Sequence, residues 1–175
     1  IAAVSIAPVA RADTSGKTSN AGIKPTPAVK AMERIKSLVG DWEAKAPKIY
    51  GDASIRLNYR LISDDSALME TFRIPEHDVE MITIYHLDDE RLVLTHFCAV
   101  NNQVRMNADL AKMPADKGIE FNFVDASNLA RASKQVMDKL TITFEDSNHF
   151  VQAWRWREKK AASGSETAVY RYTRK

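Results

Sequence analysis

The sequence predicts an all-β protein, an antiparallel up-and-down barrel of about ten strands (26–175) with one N-terminal helix. Three observations predict it. Beyond residue 40 the apolar pattern alternates with period two through ten segments. Most connections between those segments are short and rich in Asp, Asn, Ser and Gly. Ten consecutive strands also leave two unpaired edges unless the sheet closes on itself.

Composition agrees with a single globular domain. The 175 residues are 45% hydrophobic and 27% charged, which suits one domain with a sizeable core and excludes a collagen-like, wholly disordered or disulfide-stapled chain. The 25 basic and 23 acidic residues nearly cancel, so no global field points to nucleic acid. No apolar run reaches the ~20 residues of a membrane-spanning helix. Cys98 is the single cysteine, so no intramolecular disulfide can form. Such a cysteine is expected to be buried as a small hydrophobe.

Residues 1–12 read IAAVSIAPVARA, small and apolar, ending in the small-x-small pattern Ala10-Arg11-Ala12. They are expected to be the residue of a signal peptide cleaved after Ala12, which implies a periplasmic or secreted protein. Residues 13–25 are polar, with Gly, Ser, Asn and Pro, and read as a flexible leader. The domain then opens with a helix. Thr26 supplies an N-cap hydroxyl and Pro27 suits the first helical position. Ala28, Ala31, Met32, Ile35, Leu38 and Val39 make one apolar stripe, and Gly40 is expected to end the helix.

Strands are expected at 41–46, 52–63, 66–74, 79–87, 91–99, 103–110, 118–125, 137–146, 149–158 and 166–174. Polar turns join them at Ser63 to Ser66, Asp88 to Glu90, Asn101-Asn102, Asp116 to Gly118 and Asp146 to Asn148. The stretch Ala126 to Gln135 is the long exception. It is a candidate lid, with Ser127 or Asn128 capping a helical turn. Acidic runs at Asp64-Asp65, Glu76 to Glu80 and Asp88 to Glu90 read as solvated turns. The basic residues Arg155, Arg157, Lys159, Lys160, Arg171, Arg174 and Lys175 read as an outer barrel face.

Two stretches carry a family likeness. Leu38-Val39-Gly40-Asp41-Trp42-Glu43 places Gly-x-Trp on the first strand, just after a helix. This resembles the opening of calycins: lipocalins, fatty-acid-binding proteins and nitrobindins. The resemblance implies that Trp42 packs near the closed barrel end, against a basic residue from a late strand such as Arg171 or Arg174. The second stretch runs from Ile84-Tyr85-His86 through Thr95-His96-Phe97-Cys98 to Asn101-Asn102-Gln103-Val104-Arg105-Met106. It is similar to bacterial, often secreted, calycin-like proteins without a settled activity. Where many of that group carry Asp-Gly in the hairpin turn, this chain has Asp88-Asp89, so the register of the hairpin stays open.

His86 and His96 flank one hairpin. A three-residue loop would put them on one face but roughly 14 Å apart, and a two-residue loop on opposite faces. Neither arrangement makes a two-histidine metal site, and no metal is expected. The nitrobindin likeness implies a haem iron held by a late histidine. Strand 166–174 offers Tyr170 and Tyr172 but no histidine, and His149 follows a turn, so no cofactor is expected. Cys98 and His96 stand two apart on one strand, too far for a thiol–imidazole pair. Glu70 shares an alternation face with Leu68, Phe72 and Ile74. A carboxyl there would be desolvated and hold its proton more tightly, as a general acid or base needs. Against that stands a carboxyl paired with an inward Arg or Tyr.

The expected function is binding of a small hydrophobic or amphipathic molecule inside the barrel. The apolar part of the lining is expected from Met69, Leu94, Met106, Phe121 and Phe123. The directional polar groups are expected from Tyr59, Tyr85, His96, Cys98, Trp154 and Tyr170. Two alternatives accompany it: an enzyme using Glu70 or His96 in the same cavity, and a filled barrel with a structural role. The sequence leaves the oligomeric state open.

Overall fold

The computed structural model describes residues 25–46, 51, 53–111, 114–129, 135–158 and 165–175. The expected signal peptide and nearly all of the leader therefore lie outside the described residues. So does the central part of the expected lid, residues 130–134, and so do Lys159 and Lys160.

Helix α1 spans Pro27–Lys36. Its N-terminus forms as the sequence dictates. Thr26 Oγ1 accepts from the Val29 backbone N–H at 3.3 Å, and Pro27 occupies the first turn. Its C-terminus differs from expectation. The helix ends at Lys36 with Ser37 as the cap, and Gly40 opens the first strand instead. The reason is the tight turn into the barrel, where Leu38 and Val39 bond back to Ile35 and Lys36. Gly40 has φ +128, a backbone conformation that favours glycine, and a Cβ there would also stand 2.9 Å from the Arg174 guanidinium, which would have to move aside.

Ten antiparallel strands follow: β1 (Gly40–Lys45), β2 (Ser54–Ile62), β3 (Ala67–Ile74), β4 (Val79–Asp88), β5 (Arg91–Phe97), β6 (Gln103–Asp109), β7 (Gly118–Ser127), β8 (Gln135–Phe144), β9 (His149–Glu158) and β10 (Ser165–Arg174). Each pairs with its sequence neighbours, and β1 pairs with β10 through Trp42↔Arg174 and Glu43↔Thr173 to close the barrel. The fold class is therefore the one the alternation predicts. Strand β7 runs to Ser127, so the expected lid begins later than the sequence suggested. The β4–β5 hairpin pairs Asp88 with Arg91 across a two-residue loop, with Asp89 at φ 53. A short polar side chain tolerates that left-handed backbone, which is how Asp replaces the more usual Gly.

Helix α1 covers the barrel end where β4 finishes and β5 starts, burying Ala28, Ala31, Met32 and Ile35. Below it the barrel is filled with rings. Trp42 meets Phe150 edge-on at 4.7 Å, and Phe150 stacks on Tyr172 at 4.9 Å. Trp42 Nε1 donates to the Leu38 carbonyl at 2.7 Å. Of the two arginines the resemblance offered, Arg174 takes the place beside Trp42, 4.1 Å from the ring centre. Its guanidinium also donates to the carbonyls of Ser37, Val39 and Ser147, tying helix, turn and β8–β9 loop together. Arg171 faces outward to Glu145 instead.

Candidate functional site

The end of the barrel away from α1 is built differently. On β3 the alternation turns Leu68, Glu70, Phe72 and Ile74 inward and Met69, Thr71 and Arg73 outward. Glu70 is thereby carried into the interior, where it is 2% exposed. The register sets Tyr59 beside it on β2 and Thr83 beside it on β4, and sets His96 beside Thr83 on β5. A row of polar side chains so runs across four neighbouring strands.

Glu70 Oε2 accepts from Tyr59 Oη at 2.6 Å, Tyr85 Oη at 2.7 Å and Gln152 Nε2 at 2.8 Å. Gln152 comes from β9 and also donates to Tyr59 Oη. The Thr83 hydroxyl hydrogen-bonds the same carboxyl and stands 2.9 Å from His96 Nδ1. Burial pushes the Glu70 carboxyl above its ordinary range, and these four hydrogen bonds pull the other way. Burial, and then the nearby Glu70 charge, holds Tyr59, Tyr85 and Tyr172 well above the usual phenol range. Burial alone lowers His96 to about 4, so the imidazole is neutral at physiological pH.

Glu70, Phe72, Met81, His96, Met137, Trp154 and Tyr170 line a cavity of ≈ 20 Å³. His96 is 3% exposed, its ring lies 4.6 Å from that of Trp154, and its Nε2 is buried without a hydrogen-bond partner. A buried polar atom left unpaired costs about 1–3 kcal/mol, so natural cores rarely keep one without a use. The chemistry available is therefore narrow. The Glu70 carboxyl is occupied by donors and serves to position its neighbours. His96 Nε2 is the nitrogen that remains open to a guest.

Several expected site residues meet here and others do not. His96, Trp154 and Tyr170 line the cavity, with Glu70 behind them. Tyr59 and Tyr85 are inside and act on Glu70. Leu94, Met106 and Phe121 are buried in the filled core rather than at the cavity. Met69 corrects the expectation: period two points it outward, where its sulfur accepts from Arg60. Phe123 is only half-buried, next to a bulge in the β6–β7 pairing, with the Arg157 guanidinium 5.4 Å from its ring centre. Cys98 lies beyond the end of β5, half-buried, its thiol pushed up by burial and its sulfur 4.0 Å from that of Met81. His86 and His96 stand on opposite faces, as a two-residue loop requires. Among the described residues no group of three or more His, Cys, Asp or Glu side chains could hold a metal. No helix among them is long and apolar enough to cross a membrane.

The sequence reading missed Thr83, Gln152, Met81 and Met137. Strand β4 is apolar on both faces, which hid Thr83 and Met81. Gln152 sits two residues before Trp154, and that spacing was the available signal for it. A larger, open trough of ≈ 700 Å³ lies outside the barrel on β1–β3, beside Arg56, Arg60, Arg73 and Lys175. Arg73 and Lys175 are engaged there by Glu80 and Glu43. The trough offers solvated charge, whereas the interior offers a desolvated polar atom with a stated direction.

No family model and no curated protein sequence matches the chain. Solved structures do. A crystal structure of Rv2717c from M. tuberculosis superposes with TM-score 0.53 at 14% identity, covering 83% of this chain and 97% of that one. A protein of unknown function from the DUF3598 family of Nostoc punctiforme PCC 73102 gives TM-score 0.40 at 16% identity, covering 80% of this chain and 48% of that one. The first likeness shows the barrel fold.

Proposed function

We propose that this chain is a calycin-like barrel that binds a small, partly apolar molecule in its interior, at the end away from α1. The single observation that carries the reading is His96 Nε2: buried, neutral, without a partner, and part of a cavity wall otherwise made of rings, thioethers and the hydrogen-bonded Glu70 carboxyl. Apolar walls with one directed polar atom are the usual make-up of a small-molecule pocket. The Gly-x-Trp-Arg arrangement around Trp42 and Arg174 supports the calycin assignment. The periplasmic or secreted placement rests on the Ala10-Arg11-Ala12 pattern.

The cavity as it stands has room for about one water molecule, which needs roughly 10–15 Å³. A larger guest enters when Met81 and Met137 move. Both are unbranched, with thioether side chains that repack at low cost. Binding then follows from burial of the guest's apolar surface, worth about 25 cal/mol per Å² before the cost of ordering it.

Thermal unfolding of the full chain tests the reading with a panel of small neutral alcohols, ketones and phenols. At least one should raise the melting temperature in a saturable way, and His96→Phe should abolish the rise. A panel without effect, or equal responses from the two proteins, would refute interior binding.

A further inference from the structure

We propose that the Glu70–Thr83–His96 row fixes the hydrogen-bonding class of the guest: with Glu70 ionised the cavity takes a neutral donor such as an alcohol or amide N–H, and with Glu70 neutral it takes an acceptor such as a ketone or ether. This rests on the interior-binding reading above.

The argument is an accounting of protons. A threonine hydroxyl has one proton to give, and a neutral imidazole has one N–H. Thr83 lies between Glu70 and His96 in register on adjacent strands. Three donors already converge on Glu70 Oε2. That leaves the other carboxyl oxygen for Thr83. An ionised carboxylate only accepts, so Thr83 gives its proton to Glu70 and accepts from His96 Nδ1–H across 2.9 Å. Nε2 is then a bare lone pair facing its guest.

When Glu70 is neutral, its proton cannot sit on Oε2, which is crowded by three donors. It sits on the oxygen facing Thr83 and points at that hydroxyl. Thr83 must then donate to Nδ1, and the imidazole proton moves to Nε2. No heavy atom has to shift. The same geometry runs in two senses, and the open nitrogen changes from acceptor to donor.

The surroundings let this row titrate by itself. Tyr59, Tyr85 and Tyr172 face Glu70 from β2, β4 and β10, and burial keeps all three as phenols. Tyr170 lines the cavity, and Cys98 beside Met81 keeps its thiol proton to higher pH than usual. Burial raises the Glu70 carboxyl and lowers the His96 imidazole, and both shifts favour a neutral carboxyl beside a neutral imidazole.

Proton–nitrogen NMR of the full chain with isotope-labelled histidine reads the tautomer directly. At alkaline pH His96 should show a protonated Nδ1 and a bare Nε2. On acidification the two should exchange character before the imidazolium forms. Glu70→Gln should hold the exchanged form at every pH, because its amide oxygen must face the three donors and its amide N–H₂ must face Thr83. Thr83→Val should cut the link, so that Thr83→Val and the Thr83→Val/Glu70→Gln double variant give one pattern. A protonated Nε2 in the native protein at alkaline pH overturns the proposal. So does a folded Glu70→Gln variant with the native pattern. If Glu70→Gln does not fold, the crossover in the native protein decides alone.

The guest class is read with isopropanol and acetone, near-isosteres of which only isopropanol can donate, through the methyl resonances of Met81 and Met137. Isopropanol should bind about fivefold more tightly to the native protein at alkaline pH, the ratio for one hydrogen bond of ~1 kcal/mol. In Glu70→Gln that preference should vanish, because both oxygens can accept from Nε2–H. Equal affinities in the native protein, or a preference that Glu70→Gln leaves intact, overturn the guest class. Binding of neither these probes nor any compound of the panel above, with the nitrogen pattern as described, refutes interior binding and takes the guest class with it.

Discussion

The two ends of this barrel are filled by opposite strategies. Under α1, Trp42, Phe150 and Tyr172 pack ring on ring, and the polar tip of Trp42 is satisfied by a backbone carbonyl. At the far end a carboxyl, a hydroxyl and an imidazole share the interior with two methionines, and one imidazole nitrogen stays unpaired. The first arrangement maximises burial, and the polar atom it leaves unpaired, the Tyr172 hydroxyl, is not in the wall of the far cavity. The second gives up stability to keep an unpaired nitrogen in a cavity wall. A closed sheet can accommodate both because its strands are continuous from end to end. The packed half holds the cylinder in register while the other half keeps its polar row aligned.

That contrast can be broken most forcefully at Trp42. Trp42→Ala should cost about 3–5 kcal/mol in denaturant unfolding, since it removes a buried ring and its Arg174 contact together. A loss under ~1 kcal/mol would mean that the aromatic stack does not hold the barrel closed.

The far half should show itself through pH. The folded-state pKa of His96 is lowered, from 6.5 to about 4. The unfolded chain therefore binds a proton first as pH falls. Stability is fully present above 6.5 and is lost progressively down to about 4. The native protein should lose up to about 3 kcal/mol over that interval relative to His96→Phe, which has no proton to gain. Parallel stability curves would show that His96 is not desolvated. The raised Glu70 works in the opposite direction in both proteins, which is why the difference between them is the quantity to follow.

Arg174→Met is the smallest of these effects. Its contacts to Trp42 and three carbonyls lie near the surface, so the loss should be about 1–2 kcal/mol. It should leave guest binding unchanged. A change in binding would mean the two ends communicate.

Period-two alternation made nearly every strand legible, because a half-buried strand writes its facing into the sequence. The N-cap was legible too, since Thr26-Pro27 leaves few alternatives. The end of α1 was not, because Gly40 suits a helix stop and a close approach of Arg174 equally well. Glu70 is legible as a carboxyl on an apolar face, for which an inward tyrosine is a natural partner. Met69 has the side-chain chemistry of a pocket wall but the outward parity of β3. Thr83 and Met81 stayed hidden on a strand apolar on both faces. Gln152 was hidden for a different reason: it is 82 residues from Glu70, and only barrel closure brings them together.

Methionines report on both halves at once. Met32 lies on the buried face of α1, Met69 lies outside the barrel, and Met81 and Met137 line the cavity. The most direct measurement follows their carbon-labelled methyl resonances while small, partly apolar compounds are added. Interior binding predicts saturable shifts at Met81 and Met137, with Met32 and Met69 unmoved. Shifts confined to Met69, or none at any methionine, would contradict it.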